Sequence, residues 1–359
     1  MQTERNDWID LIKAISIILV VYGHVARGVH TAGFPMDEQG FRLVDQLIYS
    51  FHMPLFFFAA GLLFAPALQR MGARQLIVRK ARQLMYPYAV WSLIQGLIGV
   101  LLSRYTNSRL ELAEVLSFPW HPRDQFWFLY ALFLIFLVLA PLTLLLGRTY
   151  RLALPGLALA GFLLHQRVQW SFVDAYVLSF SIYVVLGMCF DRVQPFFRRH
   201  AGALSLGLGA LFAAAQCLVQ LMGWGDAGTD GWGLPLACLG ILFFAALCIW
   251  LARWRPDWLC QVGRMSMPIF LMHVLAGSGT RIALGKLGVE SAPLHLLAGT
   301  LAGVLLPLLA YRWLLRGGAG FLFNMPAPGG RPAPPSGTLG RAEQAGADEG
   351  QRHHADAHR

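Results

Sequence analysis

The sequence predicts an all-α, polytopic membrane protein with about ten transmembrane helices. Three observations predict it. Of 359 residues, 56% are hydrophobic and only 13% charged, whereas a soluble domain carries about 25% charged residues. The apolar residues are gathered in long runs, several near the ~18–20 residues that cross a bilayer as a helix. The Lys and Arg residues fall in the short loops between those runs. That placement also excludes a nucleic-acid reading of the +10 net charge, because basic residues at the ends of apolar runs set membrane orientation and form no DNA-binding face.

The ten candidate spans run at about 8–27, 45–64, 84–103, 126–146, 152–165, 176–190, 204–222, 232–251, 267–285 and 294–315. The fifth and sixth are short, as tilted or re-entrant segments are. The first has a long apolar stretch with no A-x-A site after it, so it reads as an uncleaved span. Loop charge gives the orientation. The loop after span 2 holds Arg70, Arg74, Arg79, Lys80 and Arg82 without an acid, and those after spans 6 and 8 hold Arg192, Arg198, Arg199, Arg253, Arg255 and Arg264. The alternate loops carry acids such as Asp37, Glu38, Glu111, Asp124, Asp226 and Glu290. The even-numbered loops, and both termini, are therefore expected in the cytoplasm.

Residues 1–320 form the transmembrane domain of this reading. From 321 to 359 the chain turns to Pro, Gly, Ala and charge, as in "NMPAPGGRPAPPSG", a composition expected of a disordered cytoplasmic tail. The histidines of "QRHHADAHR" are read as doing nothing specific. The five cysteines form no CxxC pair and suggest neither a disulfide framework nor a metal site. There is no Walker A loop and no Rossmann fingerprint in the sequence.

Chemistry is expected where ionisable residues enter a span, because burying them is costly. Span 1 holds Asp10, Lys13, His24 and Arg27. At about 100° per residue all four fall within an arc of about 100° on one helix face. Asp10, Lys13 and Arg27 could each be an interfacial anchor, and His24 a packing residue. The shared face favours a functional stripe. His52 opens span 2 just before Pro54, and either fixes a kink there or faces a ligand. Arg79 and Arg82 stand three apart at the cytoplasmic entry of span 3 and share a face if that stretch is helical. They are a positive-inside signal or, alternatively, a pair of fixed cations for a multiply phosphorylated ligand. Trp127 opens span 4 as a belt aromatic would, and His273 lies well inside span 9.

Four segments in order carry a resemblance. "WIDLIKAISIILVVYGH", "FHMPLFFFAAGLLF", "RKARQLMYPYAVW" and "SMPIFLMH" resemble the signatures of the membrane acyltransferase-3 family of bacterial surface-polysaccharide modifiers. The Asp-x-x-Lys form is similar to its fucose 4-O-acetylase-like branch. The resemblance covers residues 8–315, with Ala60, Met267, Pro268 and Phe270 departing from the usual pattern.

This resemblance implies a multi-pass protein of the bacterial inner membrane that moves an acetyl or similar acyl group from cytoplasmic acetyl-CoA to a hydroxyl of an extracytoplasmic or lipid-linked sugar. In that picture Arg79 and Arg82 hold the CoA phosphates, and His24 is the general base or carries the acyl group transiently. Asp10 and Lys13 pair at the inner end of the stripe. His52, Trp127 and His273 contact substrate, and no metal is required. An imidazole, with its ordinary pKa near 6.5, suits proton transfer at neutral pH. A transporter or flippase of lipid-linked sugars is the alternative, disfavoured because no repeated pair of interrupted spans is present.

Overall fold

The computed structural model describes residues 7–101, 111–167, 172–223, 233–254 and 256–325. The expected tail therefore lies, from 326 onward, outside the described residues. Among the described residues there is no strand. Thirteen α-helices follow one another: α1 (Asp7–Thr31), α2 (Glu38–Tyr49), α3 (His52–Lys80), α4 (Tyr86–Leu101), α5 (Leu112–Leu116), α6 (Trp127–Leu146), α7 (Tyr150–His165), α8 (Phe172–Cys189), α9 (Gln194–Leu221), α10 (Gly233–Leu251), α11 (Asp257–Arg264), α12 (Ser266–Lys286) and α13 (Ala292–Arg316). Among the described residues eight helical stretches are long and apolar enough to cross a membrane. Two are compound: Glu38–Leu101 contains α3 and α4, and Asp124–His165 contains α6 and α7. Ten long helices thus stand where ten spans are expected, and the protein is an all-α, polytopic membrane protein.

The boundaries differ from the hydropathy reading in two places. The run at 45–64 is two helices, broken at Ser50 and Phe51. The first of these, α2, is amphipathic. It sets Glu38, Arg42 and Asp45 against Phe41 and Ile48, and it starts at Asp37, whose carboxylate accepts from the Gly40 amide at 2.9 Å. Pro54 then falls in the first turn of α3, where its missing N–H costs nothing. The second difference is Gly72. Its φ of 72° and ψ of 168° break α3 internally, a conformation that a Cβ would strain. Residues 73–101 then continue helically through a π turn, Ala81–Met85. The helix that carries span 3 accordingly begins well before the apolar run does, and Arg79 and Arg82 lie on its early turns.

The core forms around α3 and α1. Helix α3 touches α1, α6, α8 and α10, and α1 touches α3, α10, α11, α12 and α13. The most apolar window of Glu38–Leu101 is 72% buried, against 22% for that of Gln194–Leu221, so α9 belongs to the rim. Two glycines set the α3–α8 distance. A Cβ on Gly61 would collide with the Val184 carbonyl, and one on Gly187 with the Phe58 carbonyl. Close backbone approach through small residues is how helices pack tightly in lipid, where no hydrophobic force holds them together.

Candidate functional site

The ionisable residues of α1 separate into two places. At its N-terminal end, Lys13 Nζ lies 2.7 Å from Asp10 Oδ1, and Arg264 Nη1 lies 3.7 Å from Asp10 Oδ2. Arg264 ends α11, whose Gly263 rests directly on the Asp10 backbone with no room for a Cβ. The pairing of Asp10 with Lys13 is as the sequence suggests. Arg264 reads in the sequence only as loop charge, and the fold turns it inward.

At the other end, about 16 Å along the axis for eleven residues at ~1.5 Å each, His24 meets His273 of α12. The rings are 5.1 Å apart and edge to face. Small residues allow this approach. Val25 packs at Gly277 of α12 and Gly299 of α13, and Val21 packs at Gly303. His273 is only 1% exposed. Its Nδ1 lies 2.8 Å from the Phe270 carbonyl and 3.2 Å from the Ile269 carbonyl. Carbonyls only accept, so Nδ1 carries the proton and the neutral ring presents a lone pair at Nε2. That Nε2 is buried and has no hydrogen-bond partner.

Both rings line a cavity of about 610 Å³ between α1, α4, α12 and the turn that precedes α6. Its walls include Ser92 and Gln95 of α4, and Gln125, which exchanges amide hydrogen bonds with Gln95 at 2.9 and 3.4 Å. Arg27, Arg123 and Arg281 also line it. Arg27 is held by Asp45 through two 2.8 Å bonds, and its guanidinium lies 3.4 Å over the Tyr49 ring. A smaller, mostly apolar cavity of about 340 Å³ lies on another face of α1, under α2. Among the described residues no group of three or more His, Cys, Asp or Glu could hold a metal ion.

The other expected site residues lie elsewhere. His52 is buried and off the cavity wall. Its Nδ1 donates to the Ile48 carbonyl at 2.7 Å and its ring meets Tyr49 edge to face, tying α2 to α3 across their break. Trp127 stacks on Tyr176 at 4.5 Å within a cluster that includes Phe57, Phe128 and Phe180. Neither ring is on the cavity wall.

Arg79 and Arg82 are exposed, and neither has a carboxylate partner among the described residues. They belong with the Asp10 end. Phe58 of α3 and Trp8 of α1 share the Phe190 ring. Further along α3, Lys80 lies 5.2 Å over Phe136, the ring on which Phe64 stacks. The basic cluster and the two-histidine cavity thus sit toward opposite ends of the bundle.

A family model described as an acyltransferase domain, of the acyltransferase-3 type, matches residues 6–312. The chain belongs to the acyltransferase-3 family. Among curated proteins, acyltransferase-3-like similarity extends to the nodulation protein NolL of Mesorhizobium japonicum, 31% identical over 140 residues, which cover 37% of this chain and 35% of that protein. The NolL of Sinorhizobium fredii is 30% identical over 138 residues, 37% of this chain and 36% of its own length. The matched region thus spans about a third of these relatives. No solved structure matches this acyltransferase-3 chain.

Proposed function

We propose that this member of the acyltransferase-3 family is a membrane O-acyltransferase of the bacterial inner membrane, with both termini in the cytoplasm. It takes an acetyl or similar acyl group from acetyl-CoA on the cytoplasmic side and transfers it to a hydroxyl of an extracytoplasmic or lipid-linked sugar. The observation that carries the reading is the pair of imidazoles, His24 and His273, on the wall of the large cavity at the end of the bundle away from the Arg79 and Arg82 cluster. Loop charge supports the direction, since the basic cluster marks the cytoplasmic side.

The chemistry follows from what each group can do. Arg79 and Arg82 are fixed cations that suit the phosphates of CoA. A neutral sugar hydroxyl attacks a thioester slowly, so a base is required. His24 takes the hydroxyl proton as the oxygen attacks the thioester carbonyl. The tetrahedral intermediate collapses, the carbon–sulfur bond breaks, and the CoA sulfur receives the proton from the His24 imidazolium. The ring of His273 packs edge to face on His24 and orients it, and its unpartnered Nε2 can accept a hydrogen bond from the substrate.

The test is the acyl content of surface glycans, read by mass spectrometry, in a strain whose only copy carries His24→Ala. Loss of one acyl mass at normal protein level is the expected result. Full acylation by that variant would remove His24 from the chemistry.

A further inference from the structure

The walls of the two-histidine cavity carry three arginines, Arg27, Arg123 and Arg281, against one carboxylate, Asp124. Arg27 is paired with Asp45, and Arg123 faces Glu114 at 3.7 Å. The arrangement is graded. His273 and Arg281 lie on the same helix, separated by about 12 Å for eight residues at ~1.5 Å each, and Arg27 lies about one turn beyond His24. The imidazoles therefore sit deeper than the guanidinium groups, which ring the mouth.

Two further features mark the mouth as a binding surface. Nη1 of Arg123 is buried and makes no hydrogen bond; Glu114 faces it as an ion pair at 3.7 Å, the separation of Arg264 from Asp10 and too long for a hydrogen bond. Buried donors in native proteins are nearly always satisfied, so an orphaned guanidinium nitrogen on a cavity wall suits a ligand oxygen. Asp124, beside it, holds a φ of +46°. It is the only non-glycine residue with positive φ among the described residues, and such strain persists where the surrounding fold fixes a functional turn. This turn fixes Arg123 and Gln125 on the wall.

We propose that the acceptor is an anion, bound through a carboxylate or phosphate by Arg123 and Arg281 at the mouth of the cavity while its reacting hydroxyl reaches the imidazoles below. The proposal rests on the acyl-transfer reading of the cavity and names the class of its acceptor. Arg27, already engaged by Asp45, contributes field more than contact. The oxyanion has two possible sources: an acidic sugar of the glycan, or the phosphate that links a glycan to its lipid carrier. A guanidinium binds either in the same way.

The experiment measures equilibrium binding and acyl transfer with the full-length protein in lipid nanodiscs. Three probes are compared: a neutral N-acetylglucosamine oligomer, an oligogalacturonate of the same length, and polyprenyl-diphosphate-linked N-acetylglucosamine. At least one anionic probe is expected to bind about tenfold or more tightly than the neutral oligomer, the strength of a hydrogen bond to a charged group. Arg123→Gln and Arg281→Gln are each expected to erase most of that preference, and the Arg→Lys variants to keep part of it. Arginine-dependent binding of the oligogalacturonate alone assigns the oxyanion to the glycan, and binding of the diphosphate alone assigns it to the carrier.

Equal binding of all three probes, or a preference that survives both Gln variants, overturns the proposal. Transfer to the anionic probes at an undiminished rate in those variants overturns it too and leaves acyl transfer standing. Anion binding that needs the arginines without transfer to any probe has the opposite meaning: the anion site stands and the acyl-transfer reading falls.

Discussion

The two ends of α1 use the same kinds of residue in opposite ways. At the N-terminal end Asp10 is paired with Lys13 at 2.7 Å and faces Arg264 at 3.7 Å, and Gly263 presses so close to the Asp10 backbone that no ligand atom fits between. At the C-terminal end a cavity of about 610 Å³ opens, a buried histidine nitrogen and a buried arginine nitrogen make no hydrogen bond, and a neighbouring turn is strained. A buried polar atom that makes no hydrogen bond and lies on a cavity wall suits a ligand. The comparison divides the ionisable stripe of α1 into a clamp and a site, although its four residues look alike from the sequence.

The largest effect should come from the site. His24→Ala is expected to slow acyl transfer about 10²- to 10⁴-fold, the usual worth of a positioned base, with donor binding unchanged. His273→Leu removes an orienting partner and should cost less. Steady-state rates with purified protein and acetyl-CoA separate the two. A His273→Leu variant slower than His24→Ala would exchange the roles of the rings.

Next in size is the division between donor and acceptor ends. Arg79→Ala combined with Arg82→Ala should raise the KM for acetyl-CoA about 10- to 100-fold, since each lost hydrogen bond to a charged group is worth about 1.5–3 kcal/mol before solvent screening reduces it. The KM for the acceptor should stay put. A parallel rise in both constants would mean that the basic cluster supports the fold and does not bind the donor.

A smaller and purely structural effect is expected at the α3–α8 crossing. Gly61→Ala and Gly187→Ala each force a methyl group onto a facing carbonyl and should destabilise the bundle by about 1–3 kcal/mol, as overpacking does. Thermal unfolding in detergent measures it. Unchanged melting would show that the helices separate there at no cost.

How much of this was legible before the fold was known differs by kind. Hydropathy finds the ten long helices because lipid imposes one length and one composition on every span. It cannot find the break at Ser50 and Phe51, because an amphipathic helix running into an apolar one leaves no change in mean hydropathy to read. His24 and His273 each stand out as an ionisable residue in a span, yet their meeting depends on tertiary contacts at Gly277, Gly299 and Gly303. Arg281 carried the same signal as Lys13, a charge within an apolar run, and the rule that singles out one applies to the other. Arg123 and Arg264 gave no such signal, since loop charge is ambiguous until the loop is placed. His52 reads from the sequence as an ionisable residue opening span 2 and Trp127 as an aromatic opening span 4; in the fold the first bonds the Ile48 carbonyl and the second stacks on Tyr176.

The smallest effect tests the comparison most directly. Asp10→Asn keeps the shape of the clamp and removes the charge that Lys13 and Arg264 share. A fully buried pair broken on one side costs about 3–5 kcal/mol. Here the side chains are 16–24% exposed, so water screens part of the loss and about 1–2 kcal/mol is expected. That corresponds to about a 5- to 30-fold shift in a local equilibrium. It should appear as faster amide exchange confined to α11 and the first turns of α1. Adding Lys13→Met removes one of the stranded charges and should restore part of the protection, which simple loss of packing would not do. If Asp10→Asn instead leaves exchange untouched and abolishes transfer, Asp10 belongs to the donor path, and the division of α1 into clamp and site fails at its N-terminal end.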